Sequence, residues 1–373
     1  MIEMKLKKKL IITVVLLAAA GICAGLMFLT RLDRAAVTKV YTEGIFRYIS
    51  LPVKWVENLV PAFPVGEVLL AALCIILPAA LIVAVVRCFL FRSGKPLARY
   101  GLNLVSLASA AVILFVLFGG LNYNALTFAE RYDYDLREST ISELSDLCLY
   151  LNGQAAERLN KLSRENGVTS SGMSVYEMCE KAADGYKAIE DRFPGLKGYY
   201  TTPKPAISST IMCYFQISGI YPYISPEAIV NARTPEWSLP HTICHEMAHQ
   251  RGIAREDEAN YVAYLAAISN PDVFFQYSGY AEALSYSLNA LYSASPEAYA
   301  KVIPYIHKGI REDMSASARF WDSFVKKNEL PAKISSAVND TYLKINDIPD
   351  GTRSYGRIVD LLLAEYRLAR GIN

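Results

Sequence analysis

Three long apolar runs in the first third of the chain constrain its fold more than any other feature. Leu10 to Thr30, Val68 to Val86 and Leu102 to Leu121 contain no Asp, Glu, Lys or Arg. At about 1.5 Å of rise per helical residue, each is long enough to cross a hydrocarbon layer of about 30 Å. An amphipathic helix of a soluble domain does not read this way, because it keeps one polar face. The first run is longer than the core of a signal peptide, and no small-x-small cleavage site follows it. Ile22 rather than a small residue precedes Cys23, which argues against a lipoprotein site. Pro78 interrupts the second run, and such helices tolerate the resulting kink.

The flanking charges orient these runs. Lys5, Lys7, Lys8 and Lys9 precede the first, and Arg87, Arg92, Lys95 and Arg99 fill the short loop between the second and third. Positive loops stay in the cytoplasm, so three crossings place everything after about Asn122 outside it. The intervening segment, 31–67, carries Arg31, Arg34, Lys39, Arg47 and Lys54 and softens this contrast. It reads either as interfacial helices, with Tyr41, Phe46, Tyr48, Trp55 and Phe63 at the headgroup level, or as a loop capping the spans. The expected organisation is a membrane region over 1–121 and an extracytoplasmic domain over 122–373. With 53% hydrophobic residues the chain is too apolar for an ordinary soluble enzyme, and a net charge of +2 implies no nucleic acid as partner. The lipid bilayer is the expected partner of the front third. Of the seven cysteines none forms a C-x-x-C pair, so free thiols are expected, with one bridge permitted among Cys148, Cys179, Cys213 and Cys244.

The outer region reads as mainly helical, with a small sheet in front of its richest motif. Periodicity predicts helices over 139–165, with Ser139 as cap, and over 175–193. Residues 207–230 suggest two or three short strands with turns at Gly219 and Pro226, and Glu227 to Thr234 is the candidate edge for an extended substrate. An ordinary packing hairpin is an equal reading. Further helices are expected over 259–269, 277–292, 296–311, 316–327 and 355–370. The 25 tyrosines spread along these helices and read as packing residues with a polar tip.

The motif is His245-Glu246-Met-Ala-His249, and it holds two of only four histidines. Residues four apart on a helix share a face, so two imidazoles converge as zinc requires. Zinc lowers the pKa of a water it binds, and Glu246 beside the first ligand is placed to act as general base towards that water. Ser238 is a suitable N-cap, Pro240 fits the first turn, and Gly252 is suited to ending the helix. His241, one turn earlier, reads as a partner of the site or as a capping or core histidine. These features point to a metallopeptidase acting on a peptide or protein substrate.

Catalytic zinc takes three protein ligands and one open position. The pattern that supplies a third histidine fails here at Arg255. The next residues, Glu256-Asp-Glu258-Ala-Asn260, resemble the E-x-x-A-D/N signature that opens the second zinc-site helix of gluzincin-type membrane peptidases. That resemblance implies Glu256 as third ligand and Asn260 as its support, with Glu258 in reserve. Only six residues separate His249 from Glu256, so the chain must reverse directly after Gly252. A donor for the developing oxyanion is also needed. His307, Tyr355 and Arg357 are the sequence-level candidates, and each also reads as a surface or packing residue.

Three N-terminal spans, the segment from His245 to Asn260, and the closing Tyr342-Leu-Lys through Ser354-Tyr355-Gly-Arg357-Ile-Val-Asp-Leu together resemble a bacterial membrane-anchored family known only as a domain of unknown function. The expected fold is a multi-pass α-helical membrane region plus a mainly α (α+β) zincin-like domain. The expected function is zinc-dependent peptide hydrolysis. The alternative is a zinc-binding membrane sensor or assembly protein without turnover.

Overall fold

The computed structural model describes residues 2–49, 51–60, 63–346 and 357–371, less the side chains of residues 2–5, 53, 57 and 345. Three long helices lead: α1 (Ile2–Leu29), α2 (Val65–Phe91) and α3 (Lys95–Phe118). Stretches 6–32, 65–91 and 95–118 are long and apolar enough to cross a membrane, with mean hydropathies of 2.6, 3.1 and 2.3. Most of their large apolar side chains face outward. Thr13 and Ser106 meet hydroxyl to hydroxyl at 2.8 Å, and Met27, near the end of α1, lies against Gly120, just past the end of α3, so α1 and α3 run parallel. The C-terminal ends of α1 and α3 and the N-terminal end of α2 therefore lie together.

The segment between α1 and α2 packs onto later parts of the chain more than it lies free. Val37, Thr38, Thr42 and Phe46 are buried, and Thr42 donates to Asn122 Oδ1 at 2.9 Å. Phe46 is thus a packing residue and not a headgroup anchor, whereas Tyr48, Trp55 and Phe63 are exposed. Charge locks the same region down. Lys204 pairs with Glu227 at 2.9 Å, both buried, and Glu227 accepts the Val65 and Gly66 N–H groups that open α2. A carboxylate there suits the positive end of the helix dipole.

Beyond Asn124 the chain is mainly helical. Helices α4 (Ile141–Leu159) and α5 (Val175–Ile189) each start with a full capping box, Thr140 with Glu143 and Ser174 with Glu177. Thr140, not Ser139, is the cap of α4. The helix stops at Leu159 because a hairpin comes next: β1 (Ser163–Glu165) and β2 (Val168–Ser170) turn through Asn166 and Gly167, at φ 51° and 80°.

A three-stranded sheet comes after α5, from β3 (Lys204–Pro205), β4 (Gly219–Ile220) and β5 (Ile229–Val230), in the order β3-β5-β4. Strand β5 is parallel to β3 and antiparallel to β4. The expected edge at Glu227 to Thr234 is therefore the middle of the sheet. The Lys204–Glu227 pair adds β3 on its far side, and β4 becomes the free edge.

Helices α6 (Leu239–Gln250), α7 (Glu256–Ser269) and α8 (Val273–Ala294) form the centre of the core, against α4 and α5. Tyr261, Phe274, Phe275 and Tyr277 are almost completely buried there. Helix α5 crosses α7 so closely that a Cβ on Gly185 would lie 2.1 Å from the Ala266 carbonyl oxygen. The expected helix over 296–311 is broken, because His307 caps a new one, α9 (Lys308–Val325). Helices α10 (Leu330–Ile345) and α11 (Ile358–Arg370) complete the chain. All seven cysteines are free thiols.

Candidate metal centre

Helix α6 is held by its surroundings. Leu239, Ile243, Met247 and Ala248 are buried. Pro240 sits in the first turn, where no N–H is needed. Ser238 occupies the N-cap position, but its hydroxyl donates to the Pro235 carbonyl instead of receiving a helix N–H.

The helix ends in a tight reversal. Gly252 takes φ 81°, the left-handed region glycine occupies without strain, and Ile253 N–H bonds back to Ala248 O at 3.2 Å. The same turn aims the Ile253 carbonyl at His249 Nδ1, 2.7 Å away. Three residues later α7 starts at Glu256. The six-residue link is short because the helix cap and the ligand support are one turn.

His245, His249 and Glu256 bring one donor atom each to within 4.8 Å of one another, the only such group of His, Cys, Asp or Glu among the described residues that could hold a metal. Glu256 lies with one oxygen 3.2 Å from His245 Nε2 and the other 3.7 Å from His249 Nε2. Each imidazole hydrogen-bonds through Nδ1, His245 to Asn260 Oδ1 at 2.8 Å and His249 to Ile253 O. A carbonyl-type acceptor requires the proton on Nδ1, which leaves the Nε2 lone pair aimed at the shared point. The donor set and tautomers fit zinc.

Glu246 is buried, and its Oε2 has no hydrogen-bond partner among the described residues. It lies against Gly219 of β4, where a Cβ would come 2.4 Å from Glu246 Oε1. Burial pushes the Glu246 carboxyl up to about 8. Burial also opposes charge on both histidines. Glu256 outweighs it at His245, whose pKa is raised, while burial prevails at His249, whose pKa is lowered.

These groups line a cleft of about 910 Å³. One wall is β4 and its flanks. The Ser218 carbonyl accepts from Asn231 within the sheet, so strand alternation turns the N–H and C=O of Gly219 to the open side. Another wall is aromatic. Tyr223 stacks on Tyr342 with centroids 6.4 Å apart, and Tyr123 donates to the Tyr342 hydroxyl at 3.1 Å. Phe115, near the end of α3, packs edge-on against both Tyr223 and Tyr342. The cleft is thus built on the ends of the long apolar helices.

Several sequence-level candidates stand elsewhere. Glu258 is buried but faces Arg255, 3.9 Å away, and burial pushes its carboxyl up to about 7. It does not join the histidines, because position 258 points away from the stripe that carries 256 and 260 on α7. His307 is exposed and accepts the Gly309 N–H through Nδ1, so it caps α9 and does not line the cleft. Arg357 opens α11 and exerts its charge on Asp257 and Asp360, again outside the cleft. Tyr355 lies outside the described residues. The sequence reading missed Tyr223, Tyr342 and Glu282 as cleft residues, and Tyr123 as the partner of Tyr342. Nothing local marks them, since each reaches the site only through tertiary packing.

Fold and site together define a mostly helical chain with three helices of membrane-crossing length and a His–His–Glu cluster in a cleft at their shared end. The chain belongs to the family described as Protein of unknown function (DUF3810), whose model matches residues 41–363. No curated protein and no solved structure matches it.

Proposed function

We propose that this protein is a membrane-anchored, zinc-dependent metallopeptidase with a zincin-like domain outside the cytoplasm. The observation that carries the reading is the convergence of His245, His249 and Glu256 beside a buried Glu246 with an unpartnered oxygen, in a cleft bordered by a free strand edge.

His245, His249 and Glu256 would hold the ion. When bound, zinc supplies Lewis acidity and makes a water acidic enough to be deprotonated near neutral pH. The chain supplies the rest. Asn260 and Ile253 fix the imidazole tautomers. Glu246 takes a proton at its carboxylate and returns it to the leaving amine. The Gly219 backbone can pair with an extended peptide as an added strand. Tyr223 and Tyr342, which line the cleft where His307 and Arg357 do not, take the role of oxyanion donors, and burial raises both pKa values, Tyr342 to about 12, and keeps their O–H groups protonated.

In this reading α1, α2 and α3 cross the bilayer with the lysine-rich N-terminus inside. The cleft, resting on Phe115 and Gly119, then opens close to the outer membrane surface. Substrates are peptides or proteins that reach that surface.

The test uses the full chain in detergent or nanodiscs, because Thr42, Phe46 and Asn122 pack against the Gly252 turn. About one zinc per chain is expected, retained in Glu246→Gln and lost in His249→Ala. Cleavage of a peptide library by wild type but not by Glu246→Gln completes the case. Stoichiometric zinc without turnover transfers the site to a sensor or assembly role, and no zinc under replete conditions removes both readings.

A further inference from the structure

Besides Glu246 and Glu256, the cleft holds a third carboxylate, one that the hydrolytic machinery does not use. Glu282 lies on α8 one turn after Ser278, whose hydroxyl accepts the His241 N–H at 3.1 Å. One turn further on, the Tyr286 ring lies 6.4 Å from the His241 ring. Positions 278, 282 and 286 thus form one stripe facing the first half of α6. Glu282 and Tyr286 line the same cleft as His245 and Glu246.

The neighbours of Glu282 on α6 are already committed. Thr242 donates to Ser238 O at 3.2 Å, and His241 Nε2 bonds to Asn260 O at 3.2 Å. Among the described residues no ion pair or hydrogen bond involves the Glu282 carboxylate. Its own burial, with no charged neighbour contributing, pushes its pKa up to about 7. A carboxylate held in a cleft without a partner is costly, and a bound cation removes the cost.

We propose that Glu282 is a specificity subsite for a protonated amine of the substrate. The proposal rests on the peptidase reading only in taking the substrate to be a peptide. The amine comes from one of two sources, a free amino terminus or a lysine side chain. In either case the cation is held beside α6 while the chain lies across the Glu246 carboxylate and along β4.

The experiment reads binding alone, so it stands apart from turnover and from zinc content. Full-length Glu246→Gln protein in nanodiscs is titrated calorimetrically with three pentapeptides of alanine and leucine. One has a free amino terminus, one is N-acetylated, and one is N-acetylated with a leucine replaced by lysine. One of the two amine-bearing peptides is expected to bind about 10-fold or more tightly than the neutral one, as a charge-assisted hydrogen bond implies, and which one identifies the source. Adding Glu282→Gln is expected to abolish that preference and leave neutral binding unchanged. Equal affinities for all three peptides, no binding of any, or a preference that survives Glu282→Gln would overturn the proposal. If Glu282→Gln does not fold, comparing the three peptides on the Glu246→Gln protein still decides it.

Discussion

Gly219→Ala isolates the contribution of Glu246 without touching a ligand or a charge. A Cβ at this position would lie 2.4 Å from Glu246 Oε1, 2.7 Å from Cγ and 2.8 Å from Cδ. Ordinary contact starts at 3.4 Å, so the carboxylate must retreat by about 1 Å. The backbone does not object, since Gly219 is not among the left-handed glycines of the described residues, Gly167, Gly172, Gly252 and Gly371. Helix α6 cannot yield either, with Ile243, Cys244, Met247 and Ala248 in the core. The Glu246 side chain must therefore rotate away from its place. A misplacement of about 1 Å costs on the order of 100-fold in rate, equivalent to roughly 2.7 kcal/mol of barrier. The expected result is kcat/KM down about 100-fold, with zinc content and thermal midpoint unchanged, measured on the full chain with any peptide that wild type cleaves. Undiminished turnover in a correctly folded, zinc-loaded Gly219→Ala protein would refute the view that Glu246 works from its seat against β4.

Other perturbations test the supports. Asn260→Ala removes the acceptor of His245 Nδ1–H, and zinc affinity should fall roughly 10- to 100-fold in a chelator competition; an unchanged affinity would show that the bond does not orient the ring. Lys204→Met leaves the Glu227 carboxylate buried without its cation and should cost about 3–5 kcal/mol in denaturant titrations, with Lys204→Met/Glu227→Gln recovering much of the loss. For Glu282, burial raises the folded pKa above the ordinary 4.5 to about 7, so the native state holds the proton more tightly than the unfolded chain. Its contribution is complete below about pH 4 and is lost as the pH rises to about 7. Glu282→Gln should therefore melt with wild type at pH 4 and above it at pH 8, by no more than about 3 kcal/mol. Coincident melts at both pH values would contradict the half-buried, unpaired state of Glu282.

The parts of this protein legible in its sequence are those fixed by residues close together along the chain. Uncharged runs over 10–30, 68–86 and 102–121 mark the three long helices, though each helix extends beyond the run where no breaker stops it. The four-residue spacing of His245 and His249 gives their shared face, and Gly252 gives the reversal. The choice of Glu256 rests on its resemblance to a known signature, and the geometry brings it to the histidines.

What the sequence left open depends on distant neighbours. His307 and Arg357 read in sequence as candidate oxyanion donors or as surface or packing residues, and the fold uses one to cap α9 and the other to open α11. Glu227 to Thr234 reads as an edge strand until Lys204 and Pro205 pair alongside it and leave Gly219 and Ile220 facing the cleft. Tyr123, Tyr223 and Tyr342 are separated by up to 219 residues and meet only because α3 delivers Phe115 beneath two of them. Local spacing determines which side chains share a helix face, because the backbone repeat is fixed. Which residue from elsewhere completes the site is decided only when the whole core closes, since long-range packing has no signature in neighbouring residues.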